Sequence, residues 1–196
     1  MCDGQVSEDQ VSGHQTSRHQ VSGHQASGRL DGRRASEHHV VRVGVGPVSP
    51  AEVVAVARGD AGVELTAEAV AAITRSRTVV EDLAGDTRAH YGVSTGFGAL
   101  ATRHIPVELR AQLQRSLVRS HAAGAGEPVE REVVRAMMLL RLSTLATGRT
   151  GVRLQTAQAY AALLTAGLTP VVPEHGSLGC SGDLAPLAAV ALAVMG

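Results

Sequence analysis

The sequence predicts a mainly α-helical protein, with one or two short strands near the start of its ordered part. Apolar residues recur at helical spacing in several segments, and glycine or proline separates these segments from one another. The alternation of apolar and polar residues that is typical of a strand is confined to short runs before residue 66. Because the 196 residues include only two tyrosines, one phenylalanine and no tryptophan, alanine, valine and leucine must build the core.

The first 39 residues have the composition of a disordered leader. They are rich in Gln, Ser, Gly and His and contain few large apolar residues, so burial cannot offset the entropy of ordering them. A Ser-x-His-Gln motif recurs every five residues between Ser12 and Gln25. A metal-binding histidine tract is one interpretation; a low-complexity segment or an over-long gene start is the other. We favour the second and predict no metal site, because no cysteine or carboxylate pattern accompanies the histidines.

The elements of the ordered part are predicted from local signals. Alternating valines indicate a short strand that begins near Val40 and is broken by Gly46. Ser49, Pro50 and Glu52 have the spacing of a capping box with proline at the first helical position. The complete series is a strand over 41–45, a helix over 49–58, a strand over 63–65, and helices over 66–83, 106–121, 128–147, 154–166 and from 183 onward.

An octapeptide over Tyr91–Gly98 interrupts the helical pattern. Its three glycines make a helix or a long strand improbable, so we predict an ordered loop. One interpretation is a glycine-rich surface turn. The other is an active-site loop that carries Tyr91, whose phenol needs a neighbouring positive helix end to act as a base.

The helix over 106–121 is predicted to be amphipathic. Its buried face is expected from three leucines that recur every four residues: Leu109, Leu113 and Leu117. Ser120 and His121 continue that face, at three and four residues beyond the last leucine. His121 is therefore either a core histidine with a backbone partner or a ligand-binding side chain.

Two later helices are more apolar. The helix over 128–147 is apolar on every side at Met137–Leu140, which predicts a place at the centre of a helical assembly. The stretch from 167 to 176 is expected to be irregular. The last helix is apolar all round and still continues at Gly196, so we expect a fragment, an obligate oligomer, or both.

The stretch Gly176–Ala188 specifies backbone geometry rather than side-chain bulk. Three of its first seven residues are glycines, which tolerate positive φ and close backbone contact. Asp183 is expected to cap the helix that follows, and Pro186 fits its first turn. Ser181 thus lies at a positive helix N-terminus, which stabilises negative charge nearby.

Composition excludes several classes of partner. Eighteen basic and eighteen acidic residues give a formal net charge of zero, which disfavours nucleic acid and anionic membranes. The longest apolar run, Leu184–Gly196, is too short to span a bilayer, which needs about 20 residues. Two distant cysteines, Cys2 and Cys180, and the lack of an apolar signal segment predict a cytoplasmic protein with free thiols.

Three segments together resemble the aromatic amino acid ammonia-lyase family, which includes histidine, phenylalanine and tyrosine ammonia-lyases and related aminomutases. They are Tyr91–Gly98, Arg119–Gly124 and Gly176–Ala188. The resemblance begins near residue 40 and implies the N-terminal part of the ammonia-lyase/fumarase-like helical fold. It further implies a mostly helical domain over 40–150 and the start of a central helical bundle over 151–196.

The resemblance implies a group formed from the chain itself, without an added cofactor. In the family, the tripeptide that matches Cys180-Ser181-Gly182 cyclises to a methylidene-imidazolone (MIO). The nitrogen of Gly182 attacks the carbonyl of Cys180, the adduct loses one water as the ring forms, and Ser181 loses a second. Cys180 stands where alanine is commoner and would supply only its carbonyl. The resemblance gives Tyr91 the role of base.

The resemblance also implies a small amino acid as substrate. Phenylalanine enzymes tend to carry an apolar pair at the positions of Ser120 and His121, and tyrosine enzymes tend to have histidine first. Histidine enzymes resemble this chain, so we predict deamination of L-histidine to trans-urocanate. Tyrosine or phenylalanine deamination or aminomutation is the alternative. Ala189 departs from the histidine that often follows the signature in histidine enzymes, and we expect a modest effect at most.

The family's sites are assembled from several subunits of a homotetramer, and pocket residues beyond Gly196 complete them. We therefore expect this chain alone to be inactive. Two other classes compete with the lyase. A serine hydrolase using Ser181 is disfavoured because the Gly-x-Ser-x-Gly elbow after a strand is missing. A truncated, non-catalytic helical protein is not excluded by these residues.

Overall fold

The computed structural model of the protein describes residues 39–176 and 181–196. Apart from His39, the predicted leader lies outside the described residues, and so does Cys180. The fold is mainly helical, as predicted. Within the described ranges, the helices and strands in chain order are β1 (Val40–Val43), α1 (Pro50–Ala57), β2 (Gly62–Leu65), α2 (Ala67–Gly85), α3 (Val107–His121), β3 (Ala125–Pro128), α4 (Arg131–Ala146), α5 (Leu154–Thr165), β4 (Pro173–His175) and α6 (Leu184–Met195).

The two predicted strands near the start pair with each other. β1 and β2 run parallel, with Val41 opposite Val63, and α1 forms the crossover between them. The side chain of Thr165 in α5 completes the outer edge of β2, because its hydroxyl accepts from the N–H of Val63 at 2.9 Å and donates to the carbonyl of Val63 at 3.1 Å. The small sheet is thereby fixed to the helical layer.

The capping box at the start of α1 is confirmed. The hydroxyl of Ser49 accepts a hydrogen bond from the N–H of Glu52 at 3.3 Å, and the N–H of Ser49 donates to the Glu52 carboxylate at 2.6 Å. The hydrogen bond from the Ser49 N–H, and after it the one that the Ser49 hydroxyl donates to the same carboxylate at 2.8 Å, lower the pKa of Glu52 below its usual value. Pro50 lies at the first helical position, where a missing N–H has no cost.

Replacing Ser49 with alanine is expected to lower the free energy of unfolding by about 1 kcal/mol, because the first turn of α1 loses its side-chain acceptor. Urea denaturation followed by circular dichroism measures the change. Ser116→Ala is the matched control, since Ser116 is exposed in the interior of α3, where alanine favours the helix. A loss no larger than that of the control would contradict a capping role for Ser49.

The core is built around α4, as the sequence predicts for its apolar middle. Met138, Leu139 and Leu142 are completely buried, and the helix packs against α1, α2 and α5. Leu140 departs from the prediction, because it is 51% exposed. The apolar middle of α4 is thus buried on one broad side only within the described chain.

A short antiparallel ribbon corrects two predictions. Pro128, expected to open the long helix, belongs to β3 and pairs with Pro173 of β4, so α4 begins only at Arg131. β4 in turn lies in the stretch that was expected to be irregular. Both strands are poor in strand-forming residues, so their pairing rather than their composition makes them strands.

The predicted burial of the leucine face of α3 is wrong for this chain. No residue of α3 is buried, and Leu109 is 47% exposed. Leu113 and Leu117 are half-buried, on a helix whose main helical neighbour is α6. Within the described residues, the first turn of α3 is thus left open to solvent.

The last helix is covered on one side only. Ala185, Ala188 and Val190 are buried, whereas Leu184 and Met195 are 53% and 40% exposed. Among the described helices, none combines the length and the hydropathy needed to cross a membrane.

Candidate active site

The β3–β4 ribbon brings two of the three predicted site segments together. β3 follows His121 by four residues, and β4 ends at His175, directly before the Gly176–Ala188 stretch. α3 packs against α6 on the same side. The Arg119–Gly124 segment and the start of the glycine-rich stretch therefore meet at Gly124 and Gly176, although more than fifty residues separate these two glycines in sequence.

Glycines allow the backbones of these two segments to come close together. A Cβ on Gly176 would lie 2.8 Å from the Cβ of Ala185 and 3.4 Å from the Cα of Gly124. A Cβ on Gly124 would lie 3.0 Å from the ring of Pro173. Neither position has room for a side chain, so the backbones of the two segments lie in direct contact.

The hydrogen bonds of His121 determine which of its nitrogens carries a proton. Nδ1 lies 2.9 Å from the carbonyl of Leu117 and 3.1 Å from the Ser120 hydroxyl, which itself donates to that carbonyl at 2.8 Å. Since a carbonyl only accepts, Nδ1 must carry hydrogen. In the neutral imidazole Nε2 then bears the lone pair. The half-buried His121 thus donates through Nδ1 to a backbone carbonyl and can accept a hydrogen bond at Nε2.

Ser181 and Gly182 lie in the turn before α6. Ser181 is exposed, and Gly182 has a φ of +76°, which glycine adopts without strain. Asp183 occupies the N-cap position, but its side chain makes no capping hydrogen bond, which corrects the prediction. Its backbone ψ of 2° lies outside the extended range typical of an N-cap residue. Pro186 lies in the first turn, as predicted.

The Tyr91–Gly98 segment forms the ordered loop that the sequence predicts. The Tyr91 ring packs edge-on against Phe97, with centroids 5.7 Å apart, and its hydroxyl accepts from the N–H of Gly98 at 3.3 Å. Tyr91 itself is 64% exposed. Gly92 has a φ of +71°, and a Cβ there would lie 2.7 Å from the Phe97 ring, so glycine permits this packing.

Two buried side chains hold the loop from inside. Ser94 and Thr95 are almost completely buried, and the Ser94 hydroxyl accepts from the N–H of His90 at 2.9 Å and donates to the carbonyl of Arg88 at 3.2 Å. His90 Nε2 lies 2.9 Å from a carboxylate oxygen of Asp86. This contact, with the hydrogen bonds from Arg88, holds the pKa of Asp86 far below its usual value.

The structure thus joins some of the predicted site residues and not others. The segment that carries Ser120 and His121 meets the glycine-rich stretch at Gly124 and Gly176, whereas the described hydrogen bonds of the Tyr91 loop remain within the segment 86–105. The Asp86–His90 pair was not predicted from the sequence, although its spacing of four residues was a usable signal. Within residues 39–176 and 181–196, no group of three His, Cys, Asp or Glu is placed to hold a metal ion.

Known proteins match this chain over most of its length. The family model for aromatic amino acid lyases matches residues 48–196. Histidine ammonia-lyase from Streptomyces avermitilis is 62% identical over 158 residues, which cover 81% of this chain and 31% of that protein. The chain therefore spans about a third of the length of the curated relatives it matches.

Solved structures agree with the sequence match. Tyrosine aminomutase from Streptomyces globisporus has a TM-score of 0.71 at 36% identity, over 77% of this chain and 28% of the other. Histidine ammonia-lyase from Trypanosoma cruzi has a TM-score of 0.68 at 36% identity, over 78% of this chain and 29% of the other. The chain belongs to the aromatic amino acid lyase family.

Proposed function

We propose that the chain is part of a carbon–nitrogen lyase that removes ammonia from L-histidine and yields trans-urocanate. The observation that carries this proposal is the contact between Gly124, three residues after α3, and Gly176, because it brings the segment that contains His121 to the start of the glycine-rich stretch. Similarity to histidine ammonia-lyases at 62% identity supports the choice of reaction.

The residues present fit a methylidene-imidazolone formed from Cys180, Ser181 and Gly182. Ser181 is exposed in a tight turn, Gly182 has the left-handed φ that a strained turn requires, and α6 begins immediately afterwards. The group would supply an electrophile for the substrate. The N–H groups at the start of α6 would stabilise negative charge beside it.

The proposed substrate contact follows from the tautomer of His121. With Nδ1–H directed to the Leu117 carbonyl, Nε2 accepts a hydrogen bond from the imidazole N–H of a bound histidine. An apolar side chain at this position would leave that N–H unpaired in a desolvated pocket. This pairing favours histidine over tyrosine or phenylalanine as substrate.

Tyr91 is proposed as the base that removes the β proton. Its phenol is solvent-accessible at the surface of an ordered loop, and its oxygen is held in place by a hydrogen bond from the Gly98 N–H. We further propose a cytoplasmic homotetramer. The exposed apolar residues of α6, among them Leu184, Leu192 and Met195, support a role for this face in assembly.

Intact mass measures group formation in this chain without requiring a complete pocket. We expect the purified protein to weigh two water molecules less than its sequence and to absorb in the near ultraviolet, and Ser181→Ala to show neither change. Cys180→Ala is the matched control and should keep both, because position 180 contributes only its carbonyl. An unaltered mass for the parent chain would contradict the proposal, and labelling of Ser181 by a serine-directed phosphonate would favour a hydrolase.

A further inference from the structure

The backbone of His90 makes the hydrogen bonds that organise the Tyr91 loop. Its carbonyl accepts the N–H groups of Val93, Ser94 and Thr95, at 3.0, 3.0 and 3.3 Å. Its own N–H donates to the buried Ser94 hydroxyl. Any displacement of His90 therefore displaces the whole turn that carries Tyr91.

The side chain of His90 connects this backbone to α2. Nε2 lies 2.9 Å from Asp86 Oδ2, and Asp86 is the residue that ends α2, where its own N–H donates to the carbonyl of Leu83. The side chains of His90 and Asp86 are only 21% and 24% exposed. Asp86 also accepts from the N–H and Nε of Arg88, so its carboxylate is fixed in place.

A second contact makes the end of α2 a firm anchor. Arg110, in the first turns of α3, donates to the Ala84 carbonyl at 2.7 Å and to the Ile105 carbonyl at 3.0 Å. The last turn of α2 is thus connected to α3 and to the chain that leaves the loop. The His90 side chain, which contacts Asp86 at this end of α2, therefore connects the loop to a fixed part of the fold.

We propose that Asp86 and His90 are a positioning pair that fixes the Tyr91 loop to the end of α2. The pair holds the phenol of Tyr91 in one place, in the free protein, before a substrate binds. The effect of the pair on the reaction rests on the proposed role of Tyr91 as base. The effect of the pair on the order of the loop does not depend on that role. The pair acts on the reaction through Tyr91 and touches no reacting atom itself.

Amide hydrogen exchange of Val93, Ser94 and Thr95 in the purified chain tests the pair. His90→Phe keeps a ring but removes the donor, and it is expected to speed exchange at these amides about tenfold. His90→Gln, whose amide N–H reaches a similar position, should restore most of the protection. Glu81→Ala is the matched control, because it breaks the Arg77–Glu81 pair of the same spacing on α2 and should leave the loop unchanged.

The ring signals of selectively labelled tyrosine provide a readout of Tyr91 itself. The chain has only two tyrosines, and Tyr160→Phe assigns them. His90→Phe is expected to shift and narrow the Tyr91 signal, and His90→Gln to return it. If His90→Phe does not fold, Asp86→Ala removes the same contact from the other side.

The outcomes separate this proposal from the lyase proposal. Unchanged exchange and ring signals in His90→Phe would overturn the positioning pair, whatever the mass of the chain. Equal acceleration in His90→Phe and His90→Gln would also overturn it, since the hydrogen bond would then be irrelevant. A parent chain that lacks the dehydrated mass, yet loses loop protection in His90→Phe, would contradict the lyase and retain the pair.

Discussion

Replacing Arg135 with alanine is expected to lower the free energy of unfolding by about 3 kcal/mol. The reason is that the buried Val56 carbonyl loses its charged donor, at about 1–3 kcal/mol, that the Leu164 carbonyl loses one of its donors, and that a cavity remains. The gain from no longer burying a charge offsets part of that sum. Urea denaturation of the two proteins under the same conditions measures the difference.

The contacts of Arg135 explain the size of this effect. The side chain is completely buried in the middle of the core, where Nε donates to the carbonyl of Val56 at 2.9 Å and Nη2 to that of Leu164 at 3.2 Å. The Val56 carbonyl belongs to the last turn of α1, where helical carbonyls lack helical partners. The Leu164 carbonyl, at the end of α5, also accepts from the N–H of Gly167 at 3.1 Å. Burial lowers the pKa of Arg135, while the Asp60 carboxylate, 3.2 Å from Nε, opposes that shift.

Arg131→Ala is the matched control for Arg135→Ala. Arg131 lies one turn earlier on α4 and binds the same Asp60 carboxylate at 2.7 Å, but its side chain is 49% exposed. An exposed ion pair of this kind contributes about 1 kcal/mol or less. Equal losses in the two variants would contradict the view that Arg135 acts by completing the helix ends.

Replacing Gly148 with alanine is expected to cost about 3 kcal/mol. Gly148 follows α4 with a φ of +68°, and a Cβ there would lie 2.6 Å from the carbonyl carbon of Ala72 and 2.7 Å from its oxygen. Left-handed backbone strain accounts for about 1–2 kcal/mol, and displacement of α2 from α4 for the remainder. Thermal denaturation followed by circular dichroism measures the loss.

Gly167 provides a control that separates strain from overlap. It follows α5 with a φ of +69°, nearly the same as that of Gly148, but the nearest atom to a Cβ there would be Arg131 Nη2 at 4.0 Å. Gly167→Ala therefore carries the strain alone and is expected to cost about 1 kcal/mol. A Gly148→Ala variant no less stable than Gly167→Ala would show that α2 and α4 do not approach each other this closely.

The predictions that the structure confirms are those that depend on a few neighbouring residues. The capping box at Ser49 and the glycine-rich loop at Tyr91 appear where the sequence predicts them. Each depends on hydrogen bonds or backbone conformations within one turn, which neighbouring residues determine by themselves. The specific stretch Gly176–Ala188 likewise identified the family before any fold was known.

The features that the sequence did not reveal all depend on contacts between distant segments. Pro128 is in a strand only because Pro173 lies opposite it, and Leu109 is exposed because α6 covers only part of α3. Aspartate is a residue type that favours the N-cap position, yet the backbone of Asp183 is not extended and its side chain makes no capping hydrogen bond.

The sequence by itself determined the helices, the family and the residues that are candidates for chemistry. The tertiary structure alone decided that Gly124 contacts Gly176 at the start of the glycine-rich stretch, that Asp86 holds His90, and that Arg135 is buried. The physical reason is that helical propensity and capping are local free energies, whereas burial and backbone contact depend on which distant segment packs against each residue.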